Sequence, residues 1–233
     1  MRRQASCSMT NTWNLEDECE EVKVIVKNSG LWPAVDSSNI EHDRVTVSAF
    51  CERFYGETDT MLFPFSEMTI TPDDAHQILG LEVEGKAVSE GFDDDFSFKD
   101  INKLRHKLFG WNQIETESIL EKKDGRLSRK FNLKKLRDTF CDTKKIFDKE
   151  GRVNPVRINA TASGYLLYVL GKCIFPDSSG SLVDASYMQL LDPLDKMHEY
   201  SWGTAMVAFL NNELTKGSRA LTAFGYMSTS LLW

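Results

Sequence analysis

Apolar residues recur at helical spacing through most of this chain, and the breaks in that spacing divide it into elements. Leu15, Cys19, Val22 and Val26 form one stripe, predicting a first helix over 13–29. Asn14 can cap it, and Gly30 suits its C-terminal turn. Residues 31–43 read as a loop, and Val47, Phe50 and Phe54 mark a short helix over 45–55. The period then changes to two: Met61, Phe63 and Phe65 alternate, as do Met68 and Ile70. This predicts a small β-hairpin, in which Pro64 favours an edge position. Thr71-Pro72-Asp73-Asp74 is a helix start, with Thr71 as N-cap, Pro72 at N1 and Asp74 at N3.

Beyond Gly80 the pattern weakens. Residues 81–88 read as extended and 89–96 as a Gly- and Asp-rich loop. Ser97 caps a helix carrying Ile101, Leu104 and Leu108, closed by Gly110. Residues 113–129 form a charged connector without clear period. Asn132 then caps one amphipathic helix with Leu133, Leu136, Phe140 and Phe147 on a face. Residues 148–157 read as a loop. The segment 160–175, opened by Asn159, is apolar nearly all round, which predicts a central helix. Three more helices follow, over 184–191, from 202 through Leu214, and over 221–233; the last has no C-terminal cap, as expected of a chain excised from something longer. The expected fold is a mainly α, single compact multi-helix domain of about nine helices with one or two small β-hairpins. It would occupy 13–233, after a flexible segment at 1–12, with a mobile charged insert within 89–130.

Composition fits a packed core. Of the 233 residues 41% are hydrophobic and 11% aromatic, which excludes disorder as the overall state. Five cysteines form no CxxC pair, and none has a histidine at ligand spacing, so neither a disulfide scaffold nor a zinc site is indicated. Residues 1–12 are too polar for a signal peptide. The most apolar run, 164–175, contains Lys172 and is too short to cross a bilayer, so no membrane association is expected.

Charge adds one feature. Net charge is −7, yet 99–157 holds 17 basic and 9 acidic residues while the remainder holds 11 and 26. A basic region on an acidic chain can face an acidic partner or be a solvated surface. Lys122, Lys123, Arg126, Arg129, Lys130, Lys134, Lys135 and Arg137 are its candidate contacts. Glu52, Arg53, Glu57 and Glu67 are candidates for a structural ion-pair cluster, with Arg53 reaching Glu67.

Signs of catalysis are missing. There is no GxGxxG or GxxxxGK[ST] nucleotide loop, no GxSxG elbow and no HExxH pair. Asp93-Asp94-Asp95 lacks the alternating spacing of a calcium loop, and His76 reads as a helix surface residue. No catalytic residue, cofactor or metal is expected.

Several blocks together resemble the plant mobile domain. They are SAFCERF from Ser48, ETDTMLFPFSEMTIT from Glu57 and DAHQILGL from Asp74. Later come YLLYVLG from Tyr165, FPDSSG from Phe175, YSWGTA from Tyr200 and FLNNEL from Phe209. Their order and spacing match over about 13–233. Phe54 stands where the family often has Trp, and Ser66 where it often has Gly. The resemblance implies a domain of transposable elements and of host proteins derived from them, among them the maintenance-of-meristems group and long relatives of protein phosphatase 7. It implies nuclear proteins linked to transposon silencing, gene expression, genome integrity and meristem upkeep. It also implies a protein partner, either another plant mobile domain protein or a phosphatase-7-like protein. The aminotransferase-like label the family sometimes carries finds no lysine in a pyridoxal-phosphate setting here.

The function expected is therefore a non-catalytic protein-interaction module, with Trp32, Trp111 or Phe92 as aromatic anchors if exposed. The alternative is nucleic-acid binding through 99–157.

Overall fold

The computed structural model describes residues 12–36 and 44–219. The expected helix over 221–233 and most of the N-terminal segment lie outside the described residues.

The middle of the fold is the helix predicted to be central. It is α9 (Pro155–Val169), and every residue of it from Ala160 onward is buried. A π-turn at Leu170–Ile174 continues it. The helix starts earlier than its apolar run suggests, because Asn154 caps it by accepting from the Val156 N–H at 2.9 Å and Pro155 takes N1. Around it pack α1 (Glu20–Lys27), α5 (Phe98–Phe109) and α7 (Leu133–Phe140). Gly164 lets α7 come close: a Cβ there would lie 2.7 Å from Phe140 Cδ2. Phe140 in turn stacks on Trp111, centroids 5.0 Å apart, beside Phe109 and Phe131.

A second layer is built on α10 (Trp202–Ser218), which packs against α3 (Arg44–Arg53) and α4 (Pro72–Leu79). The capping box predicted for α4 is present. Thr71 Oγ1 accepts from the Asp74 N–H at 3.3 Å, and the Asp74 carboxylate accepts from the Thr71 N–H at 2.7 Å. The Thr71 N–H and the Thr71 hydroxyl, both donating to that carboxylate at 2.7 Å, hold the Asp74 carboxyl below its usual range.

Among the described residues there are also two three-stranded antiparallel sheets. The first, in order β1 (Phe54–Tyr55), β2 (Thr60–Phe63), β3 (Ser66–Met68), contains the predicted hairpin. Pro64 lies in its turn, between the strands. The second, β4 (Leu120–Lys123), β5 (Arg126–Asn132) and β6 (Leu182–Asp184), falls largely where a connector was expected. Asp124 (φ 52°) and Gly125 (φ 76°) make its turn, with both central residues left-handed as a type I′ hairpin requires.

The mainly α expectation holds, with differences of detail. Ten α-helices lie among the described residues. Two were read as loop or connector: α2 (Trp32–Asp36) and α6 (Gln113–Ile119). The segment 185–191 is a 3-10 helix. The helix expected from Asn132 through Phe147 is two helices, α7 and α8 (Thr143–Glu150), broken at Cys141-Asp142, with Asp142 left-handed at φ 70°.

The cause of that break lies 124 residues away. Glu18 is fully buried, and its carboxylate accepts from Asp142 N at 3.1 Å, from Thr143 N at 3.0 Å and from the Thr143 hydroxyl. Trp13 Nε1 donates to the same carboxylate at 2.7 Å. A buried carboxylate is tolerated when donors surround it, and here it takes the place of the helix's own carbonyls.

Candidate functional site

Face assignments follow from the register of the first sheet. Phe54, Met61 and Met68 are paired in line and share one face with Phe63. Phe54 and Met61 are buried under α3 and α10, but Met68 is 51% exposed, because β3 overhangs the helices at the sheet edge. The opposite face carries Tyr55, Thr60, Leu62 and Glu67. Tyr55 and Leu62 are 53% and 52% exposed. Phe65 in the turn is 79% exposed and stacks on Phe63, centroids 5.6 Å apart. Tyr55 and Leu62 therefore expose apolar surface on one face of the sheet and Met68 on the other, with Phe65 in the turn between β2 and β3, and β3 is an edge strand among the described residues. Exposed apolar side chains and an edge strand are the features through which partner contacts are commonly made.

The local chemistry keeps this hairpin in shape. Thr60 Oγ1 donates to Glu67 Oε1 at 2.6 Å, and Thr69 Oγ1 donates to the Asp59 carbonyl at 2.6 Å. The first bond corrects the expected ion-pair cluster. Glu67 lies opposite Leu62, diagonal to Thr60 on the same face, and takes the hydroxyl. Among the described residues no ion pair joins Arg53 to Glu57 or Glu67, and all three belong to exposed residues.

The basic candidates divide into two groups. Lys122, Lys123 and Arg126 cluster at the exposed tip of the β4–β5 hairpin, where Lys123 pairs directly opposite Arg126. Lys134 is exposed on α7. These four make no ion pair among the described residues. The others are held internally: Arg129 lies over the Phe96 ring at 5.5 Å and Lys130 pairs with Asp177 at 3.3 Å. Lys135 donates to the Ser118 carbonyl at 2.9 Å, and Arg137 pairs with Asp138 at 2.7 Å.

The three suggested aromatic anchors are placed differently from the hairpin. Trp111 is buried in the aromatic core at 5% exposure. Trp32 is half-buried under Lys27, and Phe92 is half-buried against Tyr187. The hairpin residues were overlooked because alternation in 61–65 reads as one inward-facing strand, whereas the turn at Pro64-Phe65 turns Phe65 outward.

Reactive groups are muted by burial. The Cys51 thiol is pushed up to about 11 and the Cys173 thiol up to about 12, so both are protonated at neutral pH. No group of three metal-ligating side chains occurs among the described residues, and no described helix is long and apolar enough to cross a membrane.

The family model for the plant mobile domain matches residues 30–230. The chain belongs to the plant mobile domain family. It is 29% identical over 220 residues to Protein MAINTENANCE OF MERISTEMS of Arabidopsis thaliana, covering 94% of this chain and 41% of that protein. Protein MAIN-LIKE 1 of the same plant is 28% identical over 94% of this chain and 39% of its own length. The serine/threonine-protein phosphatase 7 long form homolog is 25% identical over 82% of this chain, and that match covers 13% of the phosphatase homolog. The plant mobile domain described here thus spans about two fifths or less of these relatives. No solved structure matches it.

Proposed function

We propose that this plant mobile domain is a non-catalytic protein-interaction module of a nuclear, transposon-derived protein, with a role related to meristem upkeep and transposon silencing. Its partner is another plant mobile domain, that of a phosphatase-7-like protein. The observation that carries the reading is the first sheet, with Leu62 and Phe65 exposed on the β2–β3 hairpin, Tyr55 exposed beside Leu62 on β1, and β3 an edge strand among the described residues. The relatives support the biological part: one is named for meristem maintenance, and a phosphatase 7 homolog carries the same kind of domain.

Sedimentation velocity on the purified chain mixed with the domain of the phosphatase homolog tests this. A heterodimer is expected, and Leu62→Glu with Phe65→Glu should abolish it. Both side chains are exposed, so the double variant should keep its fold. A mixture that sediments as two monomers overturns the reading.

The exposed tip of Lys122, Lys123 and Arg126 favours a second reading, contact with nucleic acid phosphates. Like charges directly opposite, as Lys123 and Arg126 are, destabilise a hairpin unless something anionic sits between them.

A further inference from the structure

Away from both hairpins, a cavity of about 630 Å³ opens between α1, α5, α9 and the turns at 191–198. Its walls are aliphatic: Val24, Ile25, Leu108, Leu191 and Leu194, with Pro193. Val24 stands outside the buried stripe of α1 and is 55% exposed at the opening.

The polar groups of this cavity point to a ligand. Ser163 on α9 lines it, is 1% exposed, and its hydroxyl has no hydrogen-bond partner among the described residues. A helical serine ordinarily bonds back to the carbonyl four residues earlier, so an unpaired buried hydroxyl is a cost that a ligand group would remove. The carboxamides of Asn28 and Asn159 lie at exposed positions of the lining. Lys107 and Asp192 neutralise each other at 2.7 Å, while Asp195 and His198 stand at exposed positions.

These features select a chemistry. Lys107 is taken up by Asp192, and the remaining lining charge is the Asp195 carboxylate at the exposed rim, so among the described residues an anionic ligand finds no free cation in the wall. Among the described residues the lining has no aromatic ring other than the exposed His198, which gives a nucleobase no broad platform to stack on. Aliphatic walls, rim carboxamides and one unpaired hydroxyl match an aliphatic side chain carried on peptide main chain.

We propose that this cavity is a second binding site, which takes a short peptide segment without acidic side chains, packing one aliphatic side chain on the aliphatic wall and bringing a main-chain carbonyl to the Ser163 hydroxyl. The site is separate from the β2–β3 hairpin and does not depend on that surface binding anything.

The test is an amide-shift titration of the isotopically labelled chain with acetyl-Ala-Leu-Ala-amide. Saturable shifts confined to Val24, Ile25, Leu108, Ser163, Leu194 and their neighbours are expected. Acetyl-Ala-Ala-Ala-amide and acetyl-Ala-Glu-Ala-amide should bind at least about tenfold more weakly, since a pocket built for a methyl-bearing side chain discriminates by about that factor. Val24→Glu should abolish the shifts, and Ser163→Ala should weaken binding while leaving the spectrum of the free protein folded. Shifts spread over the surface, equal binding of the three peptides, no binding of the leucine peptide, or binding untouched by Val24→Glu would each overturn the proposal.

Discussion

Replacing Glu18 should unfold the link between the start of the chain and the α7–α8 junction. Four donors converge on its buried carboxylate: Trp13 Nε1, Asp142 N, Thr143 N and the Thr143 hydroxyl, which itself accepts from Cys19 N at 3.0 Å. In Glu18→Ala these donors stay buried without an acceptor. An unpaired buried donor costs about 1–3 kcal/mol, so even partial relaxation leaves a loss of about 4–5 kcal/mol. Glu18→Gln is more instructive because it keeps the shape. Its one oxygen can serve Trp13 and Asp142, but its NH₂ then faces the Thr143 N–H, and we expect a loss of about 2–3 kcal/mol. Against the roughly 5–15 kcal/mol of a typical domain, both are large. Urea unfolding followed by tryptophan fluorescence measures them, and amide exchange at Asp142 and Thr143 should accelerate in each variant. Losses below about 1 kcal/mol for both variants, or equal losses for the two, would refute the donor accounting.

Other consequences are as direct. Ser163→Ala should leave stability unchanged or raise it by up to about 1 kcal/mol, because the hydroxyl it removes is unpaired; Thr161→Val, which deletes a bond to the Phe140 carbonyl at 3.3 Å, should lower it by about 1 kcal/mol in the same unfolding assay. The hydroxyl and N–H of Ser97, helped by Lys103, hold Asp100 down to about 2 from 3.8. Its folded pKa is depressed, so the support this cap gives α5 is present above pH 4 and is lost as pH falls from about 4 toward 2. In Ser97→Ala the Asp100 midpoint, read by carboxyl NMR, should rise toward 3.8. Binding to double-stranded DNA should show a logarithmic salt slope no steeper than about −4, since four candidate cations, Lys122, Lys123, Arg126 and Lys134, make no ion pair among the described residues, and Lys122→Glu with Lys123→Glu should remove about half of it. A steeper slope would mean that Arg129 and Lys130 leave their internal partners.

Local signals carried the elements that are settled locally. The caps at Thr71, Ser97 and Asn132 and the closing glycines at 80 and 110 were legible because each satisfies backbone groups within a few residues. The α7–α8 break was not, because Glu18 imposes it from across the fold. The β4–β5 hairpin had a signal, the Asp124-Gly125 turn, but its strands carry Lys and Arg where an alternating apolar pattern would reveal a sheet. Burial of Trp111 follows from stacking on Phe140, a tertiary fact without a local mark. For the candidate surfaces, composition located the basic residues but not their engagement. Arg129, Lys130, Lys135 and Arg137 look the same in sequence as Lys122 and Lys123, and only the fold separates them.

The central claim is that the β2–β3 hairpin is where a partner domain sits. Backbone amide exchange on the chain, alone and saturated with the plant mobile domain of the phosphatase homolog, addresses it directly. Protection should concentrate at Thr60–Met68, and Phe65→Ala should weaken the complex by about tenfold or more, as loss of an interface anchor does. Unchanged exchange at those amides in a formed complex, or protection confined to 120–131, would contradict the account.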